Sequence, residues 1–305
     1  VASTGVSGLE KVAVIGAGTM GRGIALALLT SDLQVYLVDQ SADVLTKAKT
    51  IIEEKLAQAV DKGRVSESKG IEFASNFKTA TSLDAACDCQ LVIEAVFEDM
   101  ALKKKVLGEL EAALSDTAIL ATNTSYLDVD DLAASLDDPT RLVGMHFFSP
   151  ADVMPLLEVV RGKKTSDTAL ATSMSLGRKM GKKPVVSGVA EGFIGNRIYA
   201  AYRRVAELLV LDGASPEQVD RAMVDSGFAM GPFAVSDLAG LDIAWARRKR
   251  LESRRDPQER YCAVPDRLCE AGRLGRKTGA GWYLYTDGKQ SLDPWVDDVL
   301  DRERK

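Results

Sequence analysis

Apolar and polar positions follow two different patterns along the first part of the chain, one typical of strands and one typical of helices. Short, β-branched apolar runs predict buried strands at 11–15, 34–39, 91–96, 118–122, 141–147 and 156–161. Apolar residues at helical spacing predict helices at 20–29, 42–60, 100–114 and 168–180. Strands and helices that alternate at these lengths form a mostly parallel sheet covered on both faces. The pattern therefore predicts an α/β fold.

The pattern changes after Gly188 and becomes helical. An amphipathic helix is predicted at 197–211, and Ser215 with Gln218 has the spacing of a capping box at the start of the next helix. A third helical stretch runs from about residue 238 to 250, and only a hairpin-like segment at 281–285 suggests strands. We therefore predict two domains, an α/β domain at 1–188 and an all-helical C-terminal domain at 189–305.

A glycine motif, Gly16-Ala17-Gly18-Thr19-Met20-Gly21, follows the first strand directly and opens a helix. Gly16 permits the tight turn, Gly18 lets the backbone approach a pyrophosphate, and Gly21 lets helix and strand pack closely. The helix N-terminus, with Thr19 and Met20, offers amide donors to the phosphates. A flexible glycine turn is the alternative, but the order of strand, motif, helix and second strand is that of a Rossmann-type domain.

Asp39 ends the second predicted strand, where a carboxylate accepts hydrogen bonds from the adenosine ribose hydroxyls. A carboxylate at this place also repels a 2′-phosphate. The predicted cofactor is therefore NAD rather than NADP.

Composition excludes several other classes of function. The net charge of −5 argues against a nucleic-acid partner, and no apolar run approaches the roughly 18 residues of a membrane span. The four cysteines form no CxxC pair and there is a single histidine, so we predict no metal site.

The single histidine, His146, lies at the end of a predicted strand. Histidine is the side chain that most readily exchanges a proton near neutral pH, although a packed core histidine is the alternative. Glu158 follows within an apolar strand, where an unpaired carboxylate would be costly. The two residues are therefore candidates for an acid–base pair.

Six motifs together resemble the L-3-hydroxyacyl-CoA dehydrogenase family, especially the dehydrogenase part of multifunctional fatty-acid β-oxidation enzymes. The motifs are Gly-Ala-Gly-Thr-Met-Gly (16–21), Glu-Ala-Val-Phe-Glu-Asp (94–99), Ala-Thr-Asn-Thr-Ser (121–125), Gly-Met-His-Phe-Phe-Ser-Pro-Ala (144–151), Glu-Gly-Phe-Ile-Gly-Asn-Arg (191–197) and Gly-Arg-Lys-Thr-Gly-Ala-Gly-Trp-Tyr (275–283). The resemblance implies NAD-dependent oxidation of (S)-3-hydroxyacyl-CoA to 3-oxoacyl-CoA.

The resemblance also implies roles for the residues near His146. His146 would take the proton of the substrate 3-hydroxyl, and Glu158 would orient the ring and stabilise the imidazolium. Ser125 would bind the oxygen at C3 and the cofactor, and Asn196 would fix the substrate. The alternative for both Ser125 and Asn196 is a helix N-cap.

Further residues match family positions that contact the cofactor or the substrate. Glu98 and Lys103 match positions near the nicotinamide end of the cofactor, and Lys277 matches a position in the second domain. Lys55 and Lys62 match the region that approaches CoA. Solvated helix faces are the alternative for the lysines. Asp152 departs from the His or Asn that relatives carry there, which leaves its substrate contacts open.

Partners and compartment follow from the same resemblance. We expect an acyl-CoA thioester as substrate and either a homodimer or a piece of a larger multifunctional chain. The location would be cytoplasmic in a bacterium, or peroxisomal if the chain is cut from a eukaryotic enzyme. Alternatives are a dehydrogenase of another 3-hydroxy acid, such as gulonate, or a catalytically silent binding or structural relative.

Overall fold

The computed structural model describes residues 8–304, apart from the side chain of Arg254. The chain divides into two compact units that meet between Asn196 and Arg197. The boundary that we predicted from the change in pattern lies eight residues earlier, after Gly188.

The first unit contains an eight-stranded sheet of the order β3-β2-β1-β4-β5-β6-β7-β8. The strands are β1 (Lys11–Ile15), β2 (Gln34–Val38), β3 (Phe77–Ala80), β4 (Leu91–Glu94), β5 (Ile119–Thr122), β6 (Leu142–Phe147), β7 (Leu156–Arg161) and β8 (Lys183–Gly188). All neighbouring strands are parallel except β6 and β7, which are antiparallel. The predicted α/β fold with a mostly parallel sheet is confirmed.

Helices cover both faces of this sheet. They are α1 (Thr19–Leu29), α2 (Ala42–Asp61), α3 (Glu67–Ser75), α4 (Met100–Ala113), α5 (Val129–Ala133) and α6 (Asp167–Lys179). Side chains of β1 alternate between two apolar cores because successive residues of a strand point to opposite faces. Val12 and Val14 pack in the core that holds α1, α2 and α6, whereas Ala13 and Ile15 pack in the core that holds α4 and α5.

The six predicted strands are present, but two edge strands were not predicted. β3 and β8 lie at the two ends of the sheet, and their side chains are mostly partly or fully exposed. An edge strand has a neighbour on one side only, so it needs no continuous apolar run. Because β3 contains polar residues and β8 contains Pro184, neither strand has the hydrophobicity pattern from which strands are predicted.

The second unit is helical, as predicted. Its elements, counted from the helix that begins just before the boundary, are α7 (Gly195–Leu211), α8 (Pro216–Asp225), α9 (Pro232–Ala239), α10 (Leu241–Arg250), α11 (Val264–Glu270), β9 (Leu284–Thr286), β10 (Lys289–Ser291) and α12 (Pro294–Glu303). The predicted capping box is confirmed, since Gln218 N donates to Ser215 Oγ at 3.1 Å and Ser215 N donates to Gln218 Oε1 at 2.8 Å.

Two predictions in this unit were wrong in detail. The single helix predicted at 238–250 is interrupted at Gly240, whose φ of 95° is open to glycine but strained for other residues. The strand pair is centred later than the predicted 281–285, because β9 pairs with the exposed β10. Across residues 8–304, no helix combines the length and the apolar character that crossing a membrane requires.

Candidate active site

The candidate site of the first unit lies where several strands of the sheet end. Glu94 is the last residue of β4, Ser125 follows the end of β5, and His146 lies next to the last residue of β6. These three strands are neighbours and run parallel. Ligands of open α/β sheets bind at the carboxyl ends of the strands.

His146 and Glu158 face each other across the antiparallel pair of β6 and β7. They are direct register partners, and His146 Nδ1 lies 2.6 Å from Glu158 Oε2. Both side chains are buried, with 4% and 1% of their surface exposed. The predicted partners are therefore in contact, inside the protein.

The second oxygen of Glu158 is also bound. Ile194 N and Gly195 N donate to Oε1 at 2.9 and 2.7 Å, at the start of α7. Burial alone would raise the pKa of Glu158, but the hydrogen bond with His146 and the two backbone amides outweigh it and lower this pKa below its usual value. Glu158 is therefore ionised at neutral pH and presents its charge to the imidazole.

The ionised carboxylate decides which nitrogen of His146 carries the proton. A carboxylate only accepts hydrogen bonds, so Nδ1 donates to Glu158, and in the neutral ring Nε2 is left as an acceptor. Ser125 Oγ lies 3.1 Å from Nε2 and can donate to it. The ring packs against Phe148 and Phe193, with centroids 4.6 and 5.5 Å away.

Ser125 is held by Glu98 through the backbone. Ser125 N and Tyr126 N donate to Glu98 Oε1 at 2.8 and 3.1 Å, and Thr124 Oγ1 donates to the same oxygen at 2.6 Å. The alternative that Ser125 is an N-cap is wrong, because α5 is capped by Asp128. The Ser125 hydroxyl is left to face His146.

Lys103 does not lie on a solvated helix face, so that alternative is wrong. Only 1% of its side chain is exposed, and its ammonium lies 2.6 Å from Glu94 Oε1 and 3.5 Å from Glu98 Oε2. Its predicted role at the cofactor stays a prediction. Sequence reasoning did not identify Glu94, although a carboxylate that ends an apolar strand marks a buried charge in need of a partner.

A cavity of about 820 Å³ surrounds the glycine motif. Its lining includes Gly16, Gly18, Thr19, Met20 and Asp39, together with apolar side chains such as Val38, Val96 and Phe97. Gly16 has a φ of 101°, and a Cβ there would lie 2.7 Å from Ala95 O. A Cβ on Gly21 would collide with Gly16 O, so the tight turn predicted at Gly16 and the close packing predicted at Gly21 are both present.

The cavity fits a dinucleotide. No side chain caps the N-terminus of α1, and its first turn holds no acidic residue, which leaves backbone amides available for phosphate oxygens. A Cβ on Gly18 would meet no atom within 4 Å, so the space in front of this glycine is open. Asp39 accepts hydrogen bonds from Ala17 N at 2.8 Å and Ser41 N at 2.9 Å, which fixes its carboxylate in the wall.

A second cavity of about 230 Å³ contains only one of the two lysines predicted to approach CoA. Lys55 lines it together with Arg22, Ser149 and Asp152. Lys55 Nζ lies 2.6 Å from Asp152 Oδ2, so the unusual acid of this chain neutralises that lysine. Lys62 follows the end of α2, where it is exposed and does not line the cavity.

The remaining predicted residues lie at the start of α7 and in the second unit. Asn196 is the second residue of α7 and directly follows Gly195, so it is not the N-cap of a helix that begins at Arg197. Lys277 lies in the helical unit, where its ammonium is 2.6 Å from Asp242 Oδ1. Among residues 8–304, no group of His, Cys, Asp and Glu side chains could hold a metal ion.

Comparison with known proteins places this chain in a family. Residues 11–190 match the NAD-binding domain of 3-hydroxyacyl-CoA dehydrogenase, and residues 192–285 match the C-terminal domain of the same family. The chain is 43% identical to the peroxisomal bifunctional enzyme of Danio rerio over 97% of its own length, but it covers 42% of that protein. It therefore spans less than half the length of the curated relatives it matches.

Two solved structures are similar over almost the whole chain. The (S)-3-hydroxybutyryl-CoA dehydrogenase of Ralstonia eutropha has a TM-score of 0.86 at 35% identity, covering 92% of this chain and all of that one. The 3-hydroxybutyryl-CoA dehydrogenase of Escherichia coli has a TM-score of 0.88 at 34% identity, covering 93% of this chain and 61% of that one. The predicted NAD-binding domain and the predicted resemblance are confirmed, and the chain belongs to the 3-hydroxyacyl-CoA dehydrogenase family.

Proposed function

We propose that this protein oxidises (S)-3-hydroxyacyl-CoA to 3-oxoacyl-CoA with NAD as the hydride acceptor. The observation that carries the proposal is the buried imidazole of His146, bound at Nδ1 by Glu158 and at Nε2 by Ser125. Two relatives named as dehydrogenases of (S)-3-hydroxybutyryl-CoA or 3-hydroxybutyryl-CoA support the class of substrate.

The residues of the chain supply the proton chemistry. His146 Nε2, which carries no proton, exchanges the Ser125 hydroxyl for the 3-hydroxyl of the substrate and takes its proton as hydride leaves C3 for the bound NAD. A base placed in this way contributes about 10²–10⁴-fold to the rate. Glu158 stabilises the imidazolium that forms, because its charge is held 2.6 Å from Nδ1. Ser125, together with His146, would bind the oxygen at C3, and Asn196 would position the rest of the substrate.

The two cavities would hold the cofactor and the CoA part. Gly16, Gly18, Thr19, Met20 and Gly21 would receive the pyrophosphate of NAD, and Asp39 would bind its ribose. Glu98, Lys103 and Lys277 would act near the nicotinamide end, with Lys103 working from a buried position. Arg22 and Lys55 offer cations to the CoA phosphates, and Lys62 would meet them from the exposed end of α2.

We propose that a second copy of the chain, or a further part of a longer multifunctional chain, covers the exposed face of α7. Ile198, Val205 and Leu209 of this helix are 65%, 59% and 45% exposed, and their spacing places them on one side. The compartment would be the bacterial cytoplasm, or the peroxisome if the chain belongs to a eukaryotic enzyme.

The reaction is tested in reverse by following NADH absorbance with acetoacetyl-CoA. We expect turnover with NADH and little with NADPH, and at least about 10²-fold lower kcat in His146→Gln. NADH binding, measured by fluorescence, should be unchanged in this variant. Equal activity of the variant would contradict the role of the imidazole. Faster turnover of free 3-oxo acids than of the thioester would favour a dehydrogenase of another 3-hydroxy acid, and no turnover of either would favour a silent relative.

A further inference from the structure

Glu94 holds a buried charge beneath the candidate site. It ends β4, is fully buried, and its carboxylate has three donors. Val96 N and Lys103 Nζ donate to Oε1 at 2.8 and 2.6 Å, and Thr122 Oγ1 donates to Oε2 at 2.8 Å. Removing a carboxylate and an ammonium from water is costly, so this pair is unlike an exposed ion pair that can be lost without consequence.

Lys103 connects Glu94 to the residue that holds Ser125. Its ammonium is 3.5 Å from Glu98 Oε2, on the side of Glu98 that does not bind the Thr124–Tyr126 turn. Glu98 Oε1 accepts from three donors of that turn, and the turn carries the hydroxyl that lies 3.1 Å from His146 Nε2. An unbroken series of polar contacts thus runs from Glu94 to His146.

We propose that Glu94 is a positioning residue, which acts through Lys103 and Glu98 to set the place of the Ser125 hydroxyl against His146. Lys103 lies between two carboxylates, and the shorter contact to Glu94 keeps the ammonium away from Glu98. If the charge of Glu94 is removed, Lys103 has Glu98 as its remaining carboxylate and draws it away from the turn. The effect on turnover rests on the function proposed above, whereas the effect on His146 does not.

The central test compares Glu94→Gln with wild-type enzyme in the acetoacetyl-CoA assay. We expect kcat to fall about 10–100-fold, because small displacements of reacting groups have effects of this size. Glu111→Gln is the matched control. Glu111 likewise accepts hydrogen bonds from the backbone, but its donors are the amides of Asp137 and Asp138, outside the series that ends at His146. The control should keep its kcat.

A double-mutant cycle separates positioning from a general loss of stability. If Glu94 acts through Glu98, then Glu94→Gln should reduce kcat less than about twofold in a Glu98→Gln background. Independent, multiplicative losses would overturn the proposal.

The single histidine of the chain gives a readout that does not depend on turnover. In protein purified with a histidine-free tag, every imidazole resonance in an NMR spectrum belongs to His146. At fixed pH, Glu94→Gln should move this resonance and Glu111→Gln should not. If wild-type protein has no turnover but the resonance moves, the proposed function fails and the positioning role stands. If wild-type protein turns over and Glu94→Gln changes neither kcat nor the resonance, the positioning role is overturned.

Thr122→Val is a second variant in case Glu94→Gln does not fold. It removes one donor of Glu94 and the longer bond that Thr122 Oγ1 accepts from Thr124 N at 3.4 Å, and it keeps the charge and the shape of the site. We expect a movement of the His146 resonance in the same direction, and a smaller loss of kcat. A folded Thr122→Val protein with an unchanged resonance and unchanged kcat would overturn the proposal.

Discussion

Glu158 keeps its charge inside the protein because three groups bind it. His146 takes one oxygen, and the amides of Ile194 and Gly195 take the other. These bonds outweigh the effect of burial and lower the pKa of Glu158 below its usual value. The folded protein therefore holds the proton of this carboxyl less tightly than the unfolded chain does.

The ionisation of Glu158 should consequently make the free energy of unfolding depend on pH. A carboxylate with a lowered pKa stabilises the fold above its unfolded pKa of about 4.3, and the contribution disappears as the pH falls through the folded value. We expect Glu158→Gln to lower the free energy of unfolding by about 3 kcal/mol at neutral pH. The difference from wild-type protein should shrink below about pH 4. Urea unfolding of both proteins between pH 7 and 3 measures this difference in the free energy of unfolding.

The exposed Glu54, on α2, provides a control for this measurement. Glu54→Gln should leave the free energy of unfolding nearly unchanged at every pH. A difference between Glu158→Gln and wild-type protein that stays constant down to pH 3 would contradict the lowered pKa.

We predict that Asp152 affects substrate binding rather than the chemical step. It neutralises Lys55 in the smaller cavity, and the phosphates of CoA would compete with it for that ammonium. We expect Asp152→Asn to lower the KM for acetoacetyl-CoA up to about fivefold, which is the worth of an exposed ion pair of about 1 kcal/mol, with kcat unchanged. A truncated thioester without phosphates should show no gain. An equal gain for both substrates would show that Lys55 does not bind phosphate.

At the scale of elements, the sequence predicted the structure correctly where the structure depends on neighbouring residues alone. The buried strands required apolar runs, and the glycine motif required its positive φ at Gly16. Side chains at the ends of neighbouring strands, such as Ser125 and His146, could therefore be expected at one edge. The edge strands β3 and β8 were not predicted, because exposed strands do not need the apolar residues on which the prediction relied.

Polar contacts between residues far apart in the sequence could not be predicted from local sequence patterns. The run Lys103-Lys104-Lys105 suggests a solvated face, and only the fold shows that Lys103 turns inward to Glu94. The contact of Lys55 with Asp152 joins residues that are 97 positions apart. A pattern of hydrophobicity carries no information about such pairs, since both members are polar in any environment.

The whole molecule shows an apolar surface that its own helical unit does not cover. Ile198, Val205 and Leu209 on α7 are this surface, and exposed apolar patches of this kind mark protein interfaces. We expect the isolated chain to sediment as a dimer and Val205→Glu to shift it to the monomer, because a charge at the centre of the stripe would be buried unpaired. Sedimentation velocity at several concentrations measures the shift.

Ile71→Glu is the matched control for this variant, since Ile71 is 67% exposed on α3 of the other unit. It should not change the sedimentation coefficient. A wild-type monomer at all concentrations would contradict self-association and favour a neighbouring part of a longer chain as the cover.

The reversed direction of β7 has a consequence for how this sheet can vary. Side chains of a strand alternate between its two faces, so a shift of β7 by one position would turn Glu158 away from His146 and bring a valine or a leucine opposite it. A one-residue deletion in the connection between β6 and β7 that shifted the register of β7 would therefore remove the carboxylate partner of His146, although His146 itself would be unchanged.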